Sequence, residues 1–376
     1  MLGTLHGFCL EAVTATVSGQ RMEVAARMEH LLTEKKVKRF TRTTGIEALS
    51  IAKKGVCTSD LAVESAKRIL SQMRREDIGA IIFLSQTSDY LSPATSYFIQ
   101  ARLGLSPDIL AYDVNLGCSG FAYGLFLAGT LLPVLDGRKV LFVGGDTSSR
   151  DTSPEDSAMY PIMADAGFAA VVGRGEDSLV FHMESDGDRA GAILLSRGGA
   201  RAPRLADHDG LTLERGNYTV MDGMAVTDFT FHDVPDNIRK LLAYAGEDIS
   251  KLDGAVFHQA NEMIVRTLAE KLEISSERAP FMCSRIGNTR SASIPVCLAE
   301  MKRTGRSCEG HYLFSGFGVG LSIASLLLDL RDGISCPAKT FHLLGCGITH
   351  GSSTPMVRGR WCPNAGKKPT ICKNVG

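Results

Sequence analysis

Apolar runs alternate with polar, helix-patterned stretches along most of this chain. Ile78-Gly79-Ala80-Ile81-Ile82-Phe83-Leu84-Ser85-Gln86-Thr87 is apolar without alternation, the pattern of a strand covered on both faces. Residues 139–146 and 166–173 repeat it, and 109–114 reads as a shorter strand. Between them Leu61, Ala62, Ser65, Ala66, Ile69, Leu70 and Met73 recur at helical spacing behind an N-cap-like Thr58-Ser59-Asp60. The stretch 121–132 is nearly all apolar and predicts a buried helix. The second half runs through the same order. Residues 234–245 are helix-like, 252–260 echoes 78–87, and a helix over 262–272 follows. Another helix begins near Ile294-Pro295, and 310–320 and 321–328 close with two strands. Such echoes predict a duplicated α/β unit whose functional groups sit at strand ends and face one shared cleft.

The two ends of the chain depart from this rhythm. Residues 1–50 are mixed, with a helix predicted over 22–36 and a turn at Thr44-Gly45. The basic run Lys35-Lys36-Val37-Lys38-Arg39 reads as a solvated helix end. After Arg331 the pattern stops. Residues 332–376 hold four of the ten cysteines, the only tryptophan and no period, which predicts a disordered or weakly packed tail. Cys336, His342, Cys346, His350, Cys362 and Cys372 could in principle ligate zinc. No CxxC pair is present and the spacings fit no standard zinc module, so no metal is predicted. The expected segments are therefore 1–175, 176–331 and the tail 332–376.

Composition narrows the function class. The 376 residues, 44% hydrophobic and 22% charged, leave room for one large or two medium domains. With 41 basic and 41 acidic residues there is no global pull toward nucleic acid or an anionic membrane. No apolar stretch reaches about 18 residues, so no spanning helix is expected. Residues 1–10 lack a basic n-region followed by a secretory h-region. A cytoplasmic location follows as the expectation, with the cysteines mostly reduced.

The most informative stretch is Asn115-Leu116-Gly117-Cys118-Ser119-Gly120, between the strand at 109–114 and the helix at 121–132. Cys118 would start that helix, where the dipole and unpaired N–H groups favour thiolate and make a nucleophile. The alternative is a small core cysteine. Two further residues stand at turns after strands: His258 in His-Gln-Ala-Asn, and Asn288 in Gly-Asn-Thr-Arg-Ser-Ala-Ser-Ile-Pro. Taken singly, one reads as a satisfied core histidine and the other as a turn residue. The glycine-rich Gly316-Phe317-Gly318-Val319-Gly320 lacks the full GxGxxG spacing of a dinucleotide loop, so no nucleotide cofactor is predicted.

In this order and on this duplicated pattern, Cys118, His258 and Asn288 resemble the Cys-His-Asn triad of the β-ketoacyl-acyl carrier protein synthase III family, thiolase-fold condensing enzymes. The resemblance covers about Thr43 to Leu330 and leaves the tail unexplained. It implies an α/β thiolase-like fold of two similar halves in layered α-β-α-β-α order. It also implies a decarboxylative condensation: Cys118 takes an acyl group from a primer thioester, with the oxyanion held by backbone N–H groups of Cys118 and Val319. His258 and Asn288 then donate to the enolate formed from malonyl-acyl carrier protein. The resemblance further implies Asn261, Phe317, Gly318 and Ser92 as residues along the substrate arm, Arg266 as a carrier-protein contact, and a homodimer. The partners are then acyl carrier protein and an acyl thioester, delivered by coenzyme A or carrier, without metal or redox cofactor.

Departures from the family pattern concern the substrate. The family usually carries an aromatic and Arg-Thr-Gly-Ile to grip the adenine of coenzyme A; here Thr43 stands at the arginine and no tryptophan precedes it. A second nucleotide-gripping arginine would fall near Ser157. Met263 occupies a position often basic, with Arg266 one turn later. Ser92 precedes Pro93 where a bulky aromatic often caps the acyl pocket, so a primer larger than acetyl is expected. Two other readings stay open. One is an acyltransferase of the same fold that passes the acyl group to an alcohol or amine, with His258 as general base. The other is a non-catalytic paralogue that only binds carrier protein or a partner synthase.

Overall fold

The apolar runs become strands, and the helices pack on both faces of them. A computed structural model describes residues 1–200 and 218–330, together with the backbone of a strand at 343–346. The side chains of the six candidate zinc ligands, and Trp361, lie outside the described residues.

Strand β1 (Leu2–Ser18) leads into β2 (Arg21–Glu23), helices α1 (Val24–Met28) and α2 (Glu34–Thr44), and β3 (Ala48–Ser50), which pairs with β2. Then come α3 (Thr58–Leu70), β4 (Ile78–Leu84), α4 (Thr95–Leu103), β5 (Leu110–Val114), α5 (Gly120–Leu131), β6 (Lys139–Thr147) and β7 (Asp165–Ser185). The short strands β8 (Ile193–Leu194) and β9 (Val220–Met221) form a separate ladder. They precede α6 (Gly223–Ala245), β10 (Gly254–Phe257), α7 (Glu262–Lys271), α8 (Ser293–Arg303), β11 (Gly310–Gly318) and β12 (Ser322–Leu330). Strand β13 (Leu343–Cys346) runs parallel to the end of β1.

The duplication is written in the strand order. β4, β6, β7 and β1 lie side by side, the first pair parallel and the next two antiparallel. β10, β11, β12 and β7 repeat that order with the same directions. β5 extends the first set, parallel to β4. Two strands belong to both sets. β7 pairs with β6 from Asp165 to Val172 and with β12 from Val180 to Ser185. β1 follows its other edge, from Leu2 opposite His182 to Val17 opposite Ala166.

Alternate side chains on the buried strands serve different layers, as strand geometry requires. Ile81 and Phe83 of β4 face α3 and α4, while Ile82 and Leu84 face the central layer built from α5 and α8. α6 and α7 cover the outer face of the second set, against Phe257, Leu313 and Leu327. The result is the α-β-α-β-α layering of the thiolase fold. α5 is almost entirely apolar because it is packed on most sides, with only Thr130 near its end exposed. Phe121 stacks on Phe142 at 5.7 Å and meets Phe168 edge-on at 5.4 Å, and Gly124 leaves room for the Phe142 ring. No helix among the described residues is long and apolar enough to cross a membrane.

Four local expectations are corrected. The helix expected over 22–36 is two helices, because Leu31 and Leu32 turn inward onto Val24, Met28, Val37 and Ile46. The basic run therefore lies within α2 rather than at a helix end. The cap of α3 is Cys57, whose N–H donates to the Asp60 carboxylate at 2.7 Å. α6 begins at Gly223, capped by Asp222, rather than at the expected residue 234, and carries Pro235 inside it. β7 continues past 173 through Arg174, Glu176 and Asp177, polar residues at the crossing between the two halves.

Candidate active site

Cys118 sits on the turn between β5 and α5, one residue ahead of the helix N-cap Ser119 rather than in the helix. Three glycines, each without a Cβ, let neighbouring groups close tightly around it. Gln86 packs against the Cα face of Gly117. A Cβ on Gly316 would lie 2.8 Å from Cα of Ser119 and 2.9 Å from the Cys118 carbonyl oxygen. A Cβ on Gly318 would lie 2.8 Å from Cβ and 3.1 Å from Sγ of Cys118. Gly318 also has φ +151°, in the region that favours glycine. The turn after β11 is thus laid directly on the cysteine.

The backbone N–H groups of Val319 and Cys118 both act on the sulfur. Ser322 holds that turn from behind, donating from Oγ to the Val319 carbonyl at 2.8 Å, and lies 2.8 Å from Ser119 Oγ. The thiol pKa nevertheless rises to about 11, burial being the main cause. The Arg290 guanidinium pulls it down and the Asp146 carboxylate pushes it further up. The expectation of a thiolate favoured by the helix terminus is overturned here, since desolvation outweighs the partial charges of two N–H groups. The cysteine remains partly exposed, so a reagent or substrate reaches it.

His258 follows β10 and is buried, its ring edge-on to Phe317 with centroids 5.6 Å apart. Nδ1 is hydrogen-bonded to Ser293 Oγ at 2.6 Å, and Nε2 has no hydrogen bond among the described residues. Burial pushes the imidazole pKa down to about 3, so it is neutral. Asn288 is buried on the loop before α8, with its backbone bonded to Ile162 and Ala164. Its Oδ1 accepts the Arg290 N–H at 2.9 Å, which leaves the amide NH2 as the end without a protein partner among the described residues.

The three residues are tied to one another through two shared segments. Residues 317–318 touch His258 with Phe317 and Cys118 with Gly318. Residues 288–293 carry Asn288, place Ser293 on His258, and place Ser291 Oγ 2.6 Å from the fully buried Asp146 carboxylate. Burial raises the Asp146 pKa, and Arg290 and its hydrogen bonds from Ser291 and Gln86 oppose that rise. Arg290 is itself buried at φ +49°, bonded to Asp151 at 3.3 Å and Thr219 at 3.1 Å.

Residues 112–187 match the family model of 3-oxoacyl-[acyl-carrier-protein] synthase III, and residues 242–330 match the model of its C-terminal part. The β-ketoacyl-[acyl-carrier-protein] synthase III of Caldanaerobacter subterraneus subsp. tengcongensis is 32% identical over 296 residues, covering 77% of this chain and 88% of that protein. This chain belongs to the β-ketoacyl-[acyl-carrier-protein] synthase III family. The corresponding Pseudomonas aeruginosa protein is 33% identical over 277 residues, covering 72% of this chain and 82% of its own. A 3-oxoacyl-(acyl-carrier protein) synthase structure from Burkholderia xenovorans LB400 superposes with TM-score 0.83 at 28% identity, covering 92% of this chain and 98% of that one. Membership makes the chain a thiolase-fold condensing acyltransferase. Cys118 falls in the first matched stretch, His258 and Asn288 in the second.

The other expected residues have varied surroundings in this family member. Asn261 caps α7, its Oδ1 accepting the Ile264 N–H at 2.9 Å. Phe317 is buried behind His258. Ser92 is exposed on the loop before α4. Arg266 is exposed and bonded to Glu262 at 2.5 and 2.9 Å. A cleft of about 1030 Å³, lined by Gln86, Asp89, Tyr90, Asn115, Thr147 and Arg150 among others, reaches the cysteine turn through Asn115 and through Gln86, which packs on Gly117; Cys118, His258 and Asn288 do not line it. Ser293, Ser322, Asp146 and Arg290 escaped the sequence reading as site residues. Arg290 and Ser293 lay inside the quoted Asn288 motif, and Asp146 ended a strand, which is where such groups collect.

Proposed function

We propose that Cys118, His258 and Asn288 carry a two-stage condensation, and the observation that supports it best is Gly318 and the Val319 N–H lying on Cys118 Sγ. In the first stage the thiol attacks the carbonyl of a primer thioester, and the oxyanion is held by N–H of Cys118 and Val319. The carrier thiol leaves with the proton, and the acyl group stays on sulfur. Fixed donors of this kind are worth roughly 3–4 kcal/mol of barrier each. In the second stage malonyl-carrier thioester loses carbon dioxide, and the electron pair of the broken C–C bond passes to the enolate. Its oxygen accepts from His258 Nε2–H and the Asn288 amide. Ser293, donating to Nδ1, keeps the proton on Nε2, and the Arg290 N–H keeps the Asn288 amide turned outward. The enolate carbon then attacks the acyl carbonyl and expels the Cys118 thiolate, giving a β-ketoacyl-carrier product of fatty acid biosynthesis.

Transfer to an alcohol or amine would need His258 as a base. An imidazole pushed down to about 3 is a poor one, which favours condensation. The deciding experiment is intact-protein mass spectrometry with acyl-coenzyme A and acyl-carrier donors, followed by malonyl-carrier protein. An adduct absent in Cys118→Ala and discharged as β-ketoacyl product supports the reading; an adduct indifferent to malonyl-carrier protein overturns it.

Three further parts belong to this reading. The primer is larger than acetyl, given the small, exposed Ser92 before Pro93; strict acetyl preference in the same panel sinks that part. The chain is a homodimer through the β5 edge, where Leu110 and the α4 residues Tyr97 and Phe98 are exposed; a monomer in sedimentation velocity contradicts it. Residues 1–175 supply the nucleophile and 176–331 the two donors, in a cytoplasmic enzyme.

A further inference from the structure

We propose that helix α2 is the surface on which the carrier protein docks. This rests on the condensing reading above and adds where the carrier lands. Lys35, Arg39 and Arg42 recur at i, i+4 and i+7, flanked by Lys36 and Lys38, and all five are exposed. Val37, Phe40 and Thr44 face the opposite way, into the cluster around Met28 and Ile46. Glu34 is the only carboxylate of the helix, and it pairs with Lys38 at 2.6 Å. Lys35, Lys36, Arg39 and Arg42 have no ion pair among the described residues. A merely solvated face mixes signs, and like charges at i, i+4 destabilise a helix. In a chain of zero formal net charge, this stripe is a local excess without a structural use.

Its position gives it one. Gly45, the left-handed cap of α2, lies against Glu262 at the start of α7, and α7 begins four residues after His258. The basic helix therefore borders the side of the site that His258 and Asn261 occupy. α7 offers little competing charge there: Arg266 is held by Glu262, and Met263 is exposed and apolar. A carrier protein brings its acyl group on a phosphopantetheine arm, whose phosphodiester is anionic. A carrier with acidic side chains around that arm complements four unpaired cations. Coenzyme A fits the helix less well, since Phe40, its one aromatic residue, packs inward and leaves nothing to stack an adenine.

The test is the triple variant Lys35→Glu, Arg39→Glu, Arg42→Glu, assayed with malonyl-carrier protein and, in parallel, with malonyl-pantetheine. KM for malonyl-carrier protein is expected to rise at least tenfold and to lose its salt dependence, while kcat and the malonyl-pantetheine reaction stay unchanged. Direct titration of labelled carrier protein by fluorescence anisotropy is expected to show the same loss. A KM within twofold of wild type, or unchanged anisotropy, overturns the proposal. Equal loss with acyl-coenzyme A loading assigns the stripe to a nucleotide and also overturns it. So does Arg266→Glu alone reproducing the whole effect. Failure of the wild type with malonyl-pantetheine strikes the condensing reading instead, and the anisotropy then decides docking by itself.

Discussion

Replacing Gly318 with alanine probes the contact on which the proposed chemistry turns. The added Cβ would stand 2.8 Å from Cβ and 3.1 Å from Sγ of Cys118. Carbon atoms at rest sit about 3.5–4.0 Å apart, so the turn or the thiol must give by about 0.7 Å. An oxyanion donor works within about 2.7–3.1 Å, a window narrower than that displacement, so the Val319 N–H loses its aim. One such donor is worth about 10²–10³ in rate. Alanine at φ +151° also strains the backbone by roughly 1–2 kcal/mol, which falls on stability. Gly246→Ala separates the two effects, because Gly246 has φ +69° with nothing within 4 Å of its Cβ position. Quenched-flow acylation read by intact mass is expected to slow at least a hundredfold in Gly318→Ala and to stay unchanged in Gly246→Ala. Both variants should lose only a few degrees of Tm. A folded Gly318→Ala that acylates within threefold of wild type would refute the role given to this turn.

Three other outcomes are expected. Alkylation of Cys118 by iodoacetamide, read as the labelling lost in Cys118→Ala, should accelerate about tenfold per pH unit between pH 7 and 10, because the thiol is pushed up to about 11; a plateau below pH 9 contradicts this. His258 is pushed down to about 3 from an ordinary 6.5, so below pH 6.5 the unfolded chain binds a proton that the fold excludes, and stability falls as pH falls toward 3. Buried Asp146 and Asp165, pushed up, act in the opposite direction, so the measurement is a difference: His258→Gln should gain on wild type in urea midpoint from pH 7 to 4.5, and a flat difference refutes it. Gly124→Ala drives a methyl into the Phe142 ring and should cost about 1–3 kcal/mol; Phe142→Leu in the same chain should recover part of it, and no change in Tm would refute the packing.

The strands at 78–84 and 139–147, the helix at 120–131 and the repeated order of elements were legible in the chain, because a run buried on both faces is apolar whatever covers it. Cys118, His258 and Asn288 were legible as reactive or hydrogen-bonding types at strand ends within a recognisable spacing. Tertiary structure alone decided that β1 and β7 serve both sets of strands, since edge pairing between residues more than a hundred positions apart leaves no local pattern. It also decided the charge state of the site. Helix position suggested a depressed thiol pKa, yet burial is set by what packs from elsewhere, here the 316–320 turn, and it raises that pKa instead. Likewise Ser293, thirty-five positions along the chain from His258, becomes its partner only once the loop folds back, whereas the Arg290 N–H on Asn288 is a local turn contact two residues away. The chain carries the residue types and their order, while distance, desolvation and neighbouring charge, which set what those residues do, arise from contacts that sequence spacing does not encode.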